Sequence, residues 1–159
     1  PGSVCNQLVH HADLIATLAE IWGTKLPDNA GEDSFSLLPL LRGEDRPIRE
    51  HAVSCASTGT PGVRQGSWKL ILGRAQGNST EEPASSMRLY NLADDIGETN
   101  DLSSQHPDRV VQMKSLYDKL IDDGRSTPGT VQKNDVAVIR YPRNPDAKVK
   151  KKGSKKDAT

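Results

Sequence analysis

Side chains with carboxylate or amide carbonyl oxygens are concentrated in RLYNLADDIGETNDL, residues 88–102, where five of them fall within eight positions. They are Asp94, Asp95, Glu98, Asn100 and Asp101. Because calcium takes roughly six to eight oxygen ligands, this density is compatible with a metal loop. An EF-hand needs acids or amides at loop positions one, three and five before a glycine at six. With Gly97 as that glycine, two of these positions are Leu92 and Ile96, so the EF-hand form fails, and catalytic carboxylates or a polar turn remain.

Cys55, in SCASTG, is the candidate nucleophile of the chain. Cysteine catalysis needs a neighbouring base and a group that orients that base. The histidines stand in no recognisable catalytic signature: His10, His11, His51 and His106. A free cysteine more often behaves as a small apolar residue, and we interpret Cys55 as a buried or half-buried strand residue of that kind. The adjacent His10 and His11 have no third ligand at a metal-binding spacing, so residue types alone identify no catalytic residue and no metal site.

The composition limits the classes of partner. The chain has 159 residues, 21 basic and 21 acidic side chains, and an apolar share of 34%. This length suits one small domain with additional segments. The zero net charge gives no support to nucleic-acid binding, and no apolar run approaches the roughly 18–20 residues of a membrane span. We therefore predict no nucleic-acid partner and no membrane association.

The N-terminal part of the chain predicts two helices. In HHADLIATLAEIWG, Leu14, Leu18 and Ile21 recur at helical spacing. Gly23 is well placed to end this helix in the left-handed conformation. A polar loop follows, and SFSLLPLLRG then predicts a short helix that Pro39 kinks or breaks.

The middle of the chain predicts a small antiparallel sheet. HAVSCAS alternates apolar and polar residues, GVRQG is a short strand or turn, and SWKLILG and MRLYNL are further strands. A polar loop, residues 73–86, carries the glycosylation sequon Asn78-Ser79-Thr80. HPDRVVQMKSLYDKLIDDGR then predicts a helix that starts at Pro107, is closed by Gly124 and covers one face of the sheet. Beyond it, VAVIRY is a candidate for a last strand.

Four strings of the sequence carry a resemblance to a known family: DLIATLAEIWGTKLPDNAGEDSFSLLPLLRGE, GVRQGSWKLIL, RLYNLADDIGETNDLSSQHPDRV and DGRSTPG. Together they resemble the C-terminal part of the type I sulfatases of the alkaline-phosphatase superfamily, from about Val4 to about Tyr141. Members typically carry a D-L-x-x-T-L helix, an R-x-G-x-W-K-L strand pair and an L-Y-D-L-x-x-D-P-x-E-x-x-N-L segment. The resemblance implies an α+β fold, in which a small antiparallel β-sheet packs against a C-terminal helix. A preceding helix belongs to an α/β catalytic domain.

The resemblance also implies a reaction, the hydrolysis of a sulfate ester. In such enzymes a Cys or Ser in C-x-P/A-x-R becomes formylglycine, whose hydrate attacks sulfur while Ca²⁺ neutralises sulfate oxygens. Cys55 does not fit that motif, because Ser57 stands where Pro or Ala belongs and Gly59 where Arg belongs. Formylglycine and Ca²⁺ are therefore expected in an N-terminal sulfatase domain, in cis. This chain alone is predicted to hold no cofactor and to be inactive, and the family implies a periplasmic or secreted location.

By the same resemblance, residues 1–47 are the end of the catalytic α/β domain and residues 48–127 are the C-terminal subdomain. Residues 128–159 form an extended, Lys-rich and disordered tail. The apolar stripe of the first helix would then pack onto a sheet of the catalytic domain.

The loop between the first two strands, SCASTGTPGVR, would edge the cleft for a sulfated small molecule or glycan. Its candidate substrate-binding residues are Ser57, Thr58 and Arg64. Relatives often have His-His-Ser-x-x-Gly where this chain has residues 54–59, and the glycine matches while the histidines do not.

A second hypothesis is a stand-alone, non-catalytic module that binds a sulfated or anionic glycan. It would use Arg64, Lys69 and the Lys-rich end KVKKKGSKKDAT as an electrostatic patch. The apolar stripe of the first helix favours the sulfatase hypothesis, because an exposed apolar face suits part of a larger domain better than a finished module.

Overall fold

The computed structural model describes residues 2, 4–73 and 87–141. Its elements follow the order α1 (Asp13–Ile21), α2 (Leu38–Leu41), β1 (His51–Cys55), β2 (Pro61–Gln65), β3 (Trp68–Ile71), β4 (Arg88–Asn91) and α3 (Pro107–Asp123). The loop that carries the sequon and the Lys-rich end of the chain lie outside the described residues. No helix within the described ranges combines the length and the apolar character needed to span a membrane.

The four strands form one antiparallel sheet in the order β1-β2-β3-β4. Strands that follow one another along the chain are neighbours in space, so the sheet is a meander. Val53, Val63, Leu70 and Leu89 lie opposite one another across the four strands. Side chains alternate between the two faces of a strand, so this row projects from one face. The predicted antiparallel sheet is confirmed.

Helix α3 covers the face from which that apolar row projects. Met113 and Tyr117 of α3 are buried and belong to the same core cluster as the row. Pro107 is the first residue of the helix, and Gly124 follows its last residue in the left-handed conformation, with φ 63°. The α+β fold that the resemblance implies is therefore confirmed.

Helix α1 has an inverted distribution of polar and apolar side chains. Asp13 and Thr17, four residues apart on one side, are buried against the rest of the chain. Leu14, Leu18 and Ile21 lie on the adjacent face and are 55%, 44% and 52% exposed. A surface helix ordinarily buries its apolar stripe. The apolar face of α1 is therefore left without cover by the described part of this chain.

Two local predictions are wrong. The predicted short helix is present as α2, but Pro39 neither kinks nor breaks it, because the proline lies in the first two positions of the helix, where no N–H partner is needed. Residues 136–141, VAVIRY, form no strand. The Tyr117 hydroxyl donates to the Arg140 carbonyl at 2.9 Å, and the Arg140 guanidinium binds two aspartates of α3. These contacts hold the segment against α3 instead of at an edge of the sheet.

Candidate functional site

The predicted substrate-facing loop is the tip of the β1–β2 hairpin. Ala56 N donates to the Thr60 carbonyl at 2.9 Å, and Gly59 N donates to the Ala56 carbonyl at 2.7 Å. Gly59 has φ 79°, a conformation that favours glycine. Ser57 and Thr58 are exposed at this tip. Two hydroxyl side chains are thus presented to solvent on a loop whose backbone is fixed by hydrogen bonds.

Arg64, the third candidate, does not lie with the other two. It is three residues beyond Pro61 in β2, which is about 10 Å along a strand. Its Nε donates to the Gly66 carbonyl at 3.1 Å, in the turn between β2 and β3. The structure therefore brings Ser57 and Thr58 together and directs Arg64 towards the opposite end of the hairpin.

The outer face of the sheet, opposite to α3, carries the cations of the electrostatic patch considered above. Arg64 and Lys69 are directly opposite each other in β2 and β3. Lys69 Nζ lies 2.5 Å from Glu98 Oε1, and both side chains are 28% exposed. The carboxylate offsets the lysine charge. Of the predicted patch, Lys69 is paired, and the Lys-rich end lies outside the described residues.

The carboxylates of residues 88–102 fix the turn between β4 and α3. Asp95 accepts hydrogen bonds from the backbone N–H groups of Asn100 and Thr99, each at 2.8 Å. These bonds lower the pKa of Asp95. Asp101 accepts from two further backbone N–H groups, one of them in β4. Of the two alternatives left open for this segment, these contacts support the polar turn.

A buried ion pair fastens the N-terminal segment to the start of the sheet. Arg49 Nη2 lies 2.7 Å from Asp13 Oδ1 and 2.7 Å from the Asp33 carbonyl. The side chains of Arg49 and Asp13 are 3% and 0% exposed. Asp13 also accepts from two backbone N–H groups, one just before α1 and one in the loop after it. Burial lowers the pKa of Arg49, and the charge of Asp13 opposes this effect.

Two hydroxyl side chains complete the attachment of that loop to α1. Ser34 Oγ accepts from Ala16 N at 2.9 Å, and Thr17 Oγ1 accepts from Leu37 N at 2.8 Å. Thr17 Oγ1 also donates to the Asp13 carbonyl at 2.6 Å. The D-L-x-x-T pattern of the first string thus has a structural role. Its aspartate and threonine anchor the loop that leads to α2.

A second buried arginine joins the residues after α3 to the same N-terminal segment. Arg125 is 8% exposed and donates to Asp28 Oδ1 at 3.0 Å. It also donates to four backbone carbonyls and to the Thr127 hydroxyl. Its hydrogen bond to Asp28 is the main cause of the lowered pKa of that carboxyl. A Cβ on Gly129 would overlap the guanidinium, which explains a glycine in the string DGRSTPG.

A cavity of about 250 Å³ lies between β1, the end of α3 and the residues around both arginines. Its polar and titratable lining includes His10, Asp33, Arg49, His51, Arg125 and Asn134. Arg49 Nε and His51 Nε2 are buried, and neither has a hydrogen-bond partner among the described residues. Burial, and then the Arg49 charge, lowers the pKa of His51. The sequence does not indicate the roles of Arg49, His51 and Arg125 in this cavity. Arg49 and His51 lie in no motif, and the string DGRSTPG contains Arg125 but does not show that its side chain is buried.

The candidate nucleophile lies at the end of β1 and is exposed. Cys55 is thus a strand residue, as predicted, but its predicted burial is wrong, because it lies beside the exposed hairpin tip. Within the described ranges, no three His, Cys, Asp or Glu side chains are grouped so that they could hold a metal ion. The described residues present an exposed hydroxyl-bearing loop, an exposed apolar helix face and a polar cavity.

The chain is similar in sequence to two bacterial sulfatases. No protein-family model matches the chain. The chain is 28% identical over 125 residues to an N-acetylgalactosamine-6-O-sulfatase of Bacteroides thetaiotaomicron, covering 71% of this chain and 23% of that protein. It is 43% identical over 51 residues to an ulvan-active sulfatase of Formosa agariphila, covering 32% of this chain and 10% of that protein. The matched region is thus about a quarter of the first relative and a tenth of the second.

Part of a solved structure is similar in fold to about two thirds of this chain. The structure comes from work on the metabolism of multiple glycosaminoglycans by Bacteroides thetaiotaomicron. It aligns with this chain with a TM-score of 0.55 and 29% sequence identity. The alignment covers 68% of this chain and 24% of that one. The four sequence strings, the meander with its covering helix and these relatives agree. The chain is homologous to the C-terminal part of the type I sulfatases.

Proposed function

We propose that this chain is part of an enzyme that hydrolyses sulfate esters of a glycan. The observation that carries the proposal is the 28% identity, over 71% of this chain, to an N-acetylgalactosamine-6-O-sulfatase. A second relative is named for its activity on ulvan. Because a polymeric glycan would meet its enzyme outside the cytoplasm, a periplasmic or secreted location fits this substrate class.

The reactive groups of such an enzyme would come from an N-terminal domain in cis. The residues around Cys55 do not match the formylglycine motif, and the described residues do not fit a Ca²⁺ site because no suitable ligand group is present among them. A bound cation would neutralise sulfate oxygens and an activated nucleophile would attack sulfur in that other domain. The role of this chain is then structural, with one edge towards the substrate.

The inverted helix α1 supports a catalytic domain as the partner. Its exposed apolar face includes Leu14, Leu18, Ile21 and Trp22, the last 73% exposed. Complete burial of one such side chain contributes about 1.5–3 kcal/mol, so a sheet packed on this face would hold α1 firmly. Residues 1–47 would belong to that domain and residues 48–127 to the subdomain. The two buried arginines would fix their relative position, because Arg49 and Arg125 bind across this boundary.

The hairpin tip would edge the substrate cleft. Ser57 and Thr58 offer hydroxyl groups that can donate to and accept from sugar hydroxyls or sulfate oxygens. Arg64 would reach a substrate only from the other end of the hairpin, where its Nε donates to Gly66. The tip is therefore the stronger candidate for a sugar contact.

Sulfate release by two proteins tests the proposal. One is the 159-residue chain, and the other is the same chain expressed within its full reading frame. Each protein is assayed with an aryl sulfate and with 6-O-sulfated N-acetylgalactosamine. We expect activity only in the longer protein, with complete loss when the Cys or Ser of an upstream C-x-P/A-x-R motif is replaced by Ala. Hydrolysis by the 159 residues alone would contradict the proposal. Salt-sensitive binding of a monomeric chain to a sulfated polysaccharide, without any such motif upstream, would favour the stand-alone module.

A further inference from the structure

The cavity places a histidine beside the arginine that holds α1. Arg49 and His51 both line it, and each has one buried ring or guanidinium nitrogen without a partner among the described residues. Arg49 uses Nη2 to bind Asp13 and the Asp33 carbonyl. The attachment of α1 to the sheet therefore depends on a guanidinium that has an imidazole as its neighbour.

The surroundings of His51 accommodate the neutral imidazole and the imidazolium differently. A neutral imidazole has one donor and one acceptor nitrogen, whereas an imidazolium has two donors and no acceptor. No described residue accepts a hydrogen bond from Nε2. Burying a charged donor without an acceptor is costly, and more so beside a second cation. The folded structure therefore suits the neutral form.

Charged and titratable groups face His51 from each element around the cavity. They are Arg49 and Glu50 beside β1, Asp33 from the loop after α1, His10 from before α1, Tyr117 from α3 and Arg125 from after α3. Burial raises the pKa of Tyr117 to about 12, so it stays neutral. Asp33 Oδ1 already accepts from the Ser126 hydroxyl at 2.7 Å. Glu50 and Asp33 favour the charged imidazole, but burial and Arg49 outweigh them.

We propose that His51 is an acid-sensitive latch on helix α1. In its neutral form it leaves Arg49 in place to hold Asp13. When a proton binds at Nε2, the imidazolium repels the Arg49 guanidinium and competes with it for the nearby carboxylates. The α1 segment then separates from the edge of the sheet, while the core between the sheet and α3 is retained. This regulation goes beyond the proposed function and does not depend on it.

The direction of the pH effect follows from proton linkage. The pKa of His51 is lowered in the attached state, first by burial and then by Arg49. The detached state therefore binds the proton more readily below about pH 6.5, the ordinary histidine value. Attachment is complete above that pH and weakens as the pH falls towards the pKa of the attached state.

Backbone hydrogen exchange in the 159-residue chain tests the latch. Rates measured at about pH 7.5 and about pH 5.0 are corrected for the intrinsic effect of pH. At the lower pH, amides of α1 and of residues 34–37 should exchange several-fold faster relative to those of β2 and β3. His51→Gln cannot be protonated and should remove this difference, whereas His11→Gln, at an exposed histidine of the same segment, should keep it. Equal loss of protection in α1 and in the sheet, or an unchanged difference in His51→Gln, would overturn the proposal.

An imidazole titration by NMR tests the same idea without any variant. The His51 resonances should titrate below the ordinary value of about 6.5, and the α1 amide shifts should follow the same midpoint. A midpoint at or above that value, or α1 shifts that follow another histidine, would show that His51 is not the latch.

Discussion

Arg49 and Asp13 form an ion pair of 2.7 Å that is almost completely removed from solvent. The pair joins α1 to the residues just before the first strand of the sheet. The apolar face of this helix is exposed. The aspartate of the pair is the first residue of the D-L-x-x-T pattern, and the arginine lies in no motif. Since each charge depends on the other for compensation, this pair is the most sensitive point of the attachment of α1.

Removing the negative charge of this pair should destabilise the chain strongly. Asp13→Asn keeps the shape of the side chain but leaves the Arg49 guanidinium buried without a counter-ion. Breaking a buried pair from one side costs about 3–5 kcal/mol. The free energy of unfolding from urea denaturation is the measurement.

An exposed ion pair serves as the control for Asp13→Asn. Arg46 and Glu44 lie 2.8 Å apart with side chains 59% and 47% exposed. Glu44→Gln should therefore change the free energy of unfolding by less than about 1 kcal/mol. Equal losses in the two variants would mean that burial does not set the strength of the Arg49–Asp13 pair.

The glycine after α3 should tolerate a methyl group less well than a glycine of the same backbone conformation elsewhere. Gly124 has φ 63°, and a Cβ there would overlap the Gln132 carbonyl. Gly66 has φ 58°, and a Cβ there would meet no atom within 4 Å. Gly66→Ala should cost about 1–2 kcal/mol from the left-handed backbone alone, and Gly124→Ala clearly more. Urea denaturation of both variants checks the order, and a smaller loss in Gly124→Ala would contradict it.

Acid should weaken the turn between β4 and α3 through Asp95. Backbone hydrogen bonds from Asn100 and Thr99 lower the pKa of this carboxyl in the folded chain. The stabilisation is therefore complete above the unfolded value of about 3.9 and is lost as the pH falls through the lower folded value. Asp95→Asn should reduce the dependence of the unfolding free energy on pH below about pH 4. Asp94→Asn is the control, because it removes a negative charge from the same turn without removing the backbone hydrogen bonds to Asp95. An equal change in the pH dependence of both variants would contradict the role of those hydrogen bonds.

The periodicity of the sequence predicts the elements of the fold well, because helices and strands that pack on one core show it directly. It fails where tertiary contacts decide. VAVIRY has apolar residues suited to a strand, but its pattern does not show whether the segment pairs with a sheet edge or packs on a helix. Here the contacts of Arg140 and Tyr117 hold that segment on α3.

The candidate site shows a different limit of prediction from sequence. The apolar stripe of α1 is visible in the sequence, but its exposure is not, since the pattern does not show which part of the protein packs against the stripe. Asp13 and Thr17, four residues apart, form a polar stripe such as any amphipathic helix has, so the pattern does not show that this stripe is the buried one. Nothing in the sequence around Arg49, His51 or Arg125 indicates that they meet around one cavity.

The exposed face of α1 should make the isolated chain self-associate. Leu14 is 55% exposed on this face, and Leu14→Glu places an acid in the first turn of α1, where the helix dipole favours it. We expect sedimentation velocity to show concentration-dependent association of the unchanged chain and a monomer for Leu14→Glu. The free energy of unfolding should change by no more than about 0.5 kcal/mol. Val111→Glu, at a 62% exposed position of α3, should leave association unchanged, and a monomeric unchanged chain would contradict the prediction.

The hairpin tip should affect the affinity for a glycan and not the chemical step. In the longer protein, replacing both Ser57 and Thr58 by Ala removes two hydroxyl groups that a sugar can bind. A hydrogen bond contributes about 0.5–1.5 kcal/mol, so KM for a sulfated oligosaccharide should rise by up to about tenfold per lost bond. The kcat for a small aryl sulfate, which is too short to reach the tip, should be unchanged. Ser115→Ala, at an exposed position of α3, is the matched control. A fall in kcat with both substrates would mean that the tip acts on the catalytic centre and not as the edge of a sugar subsite.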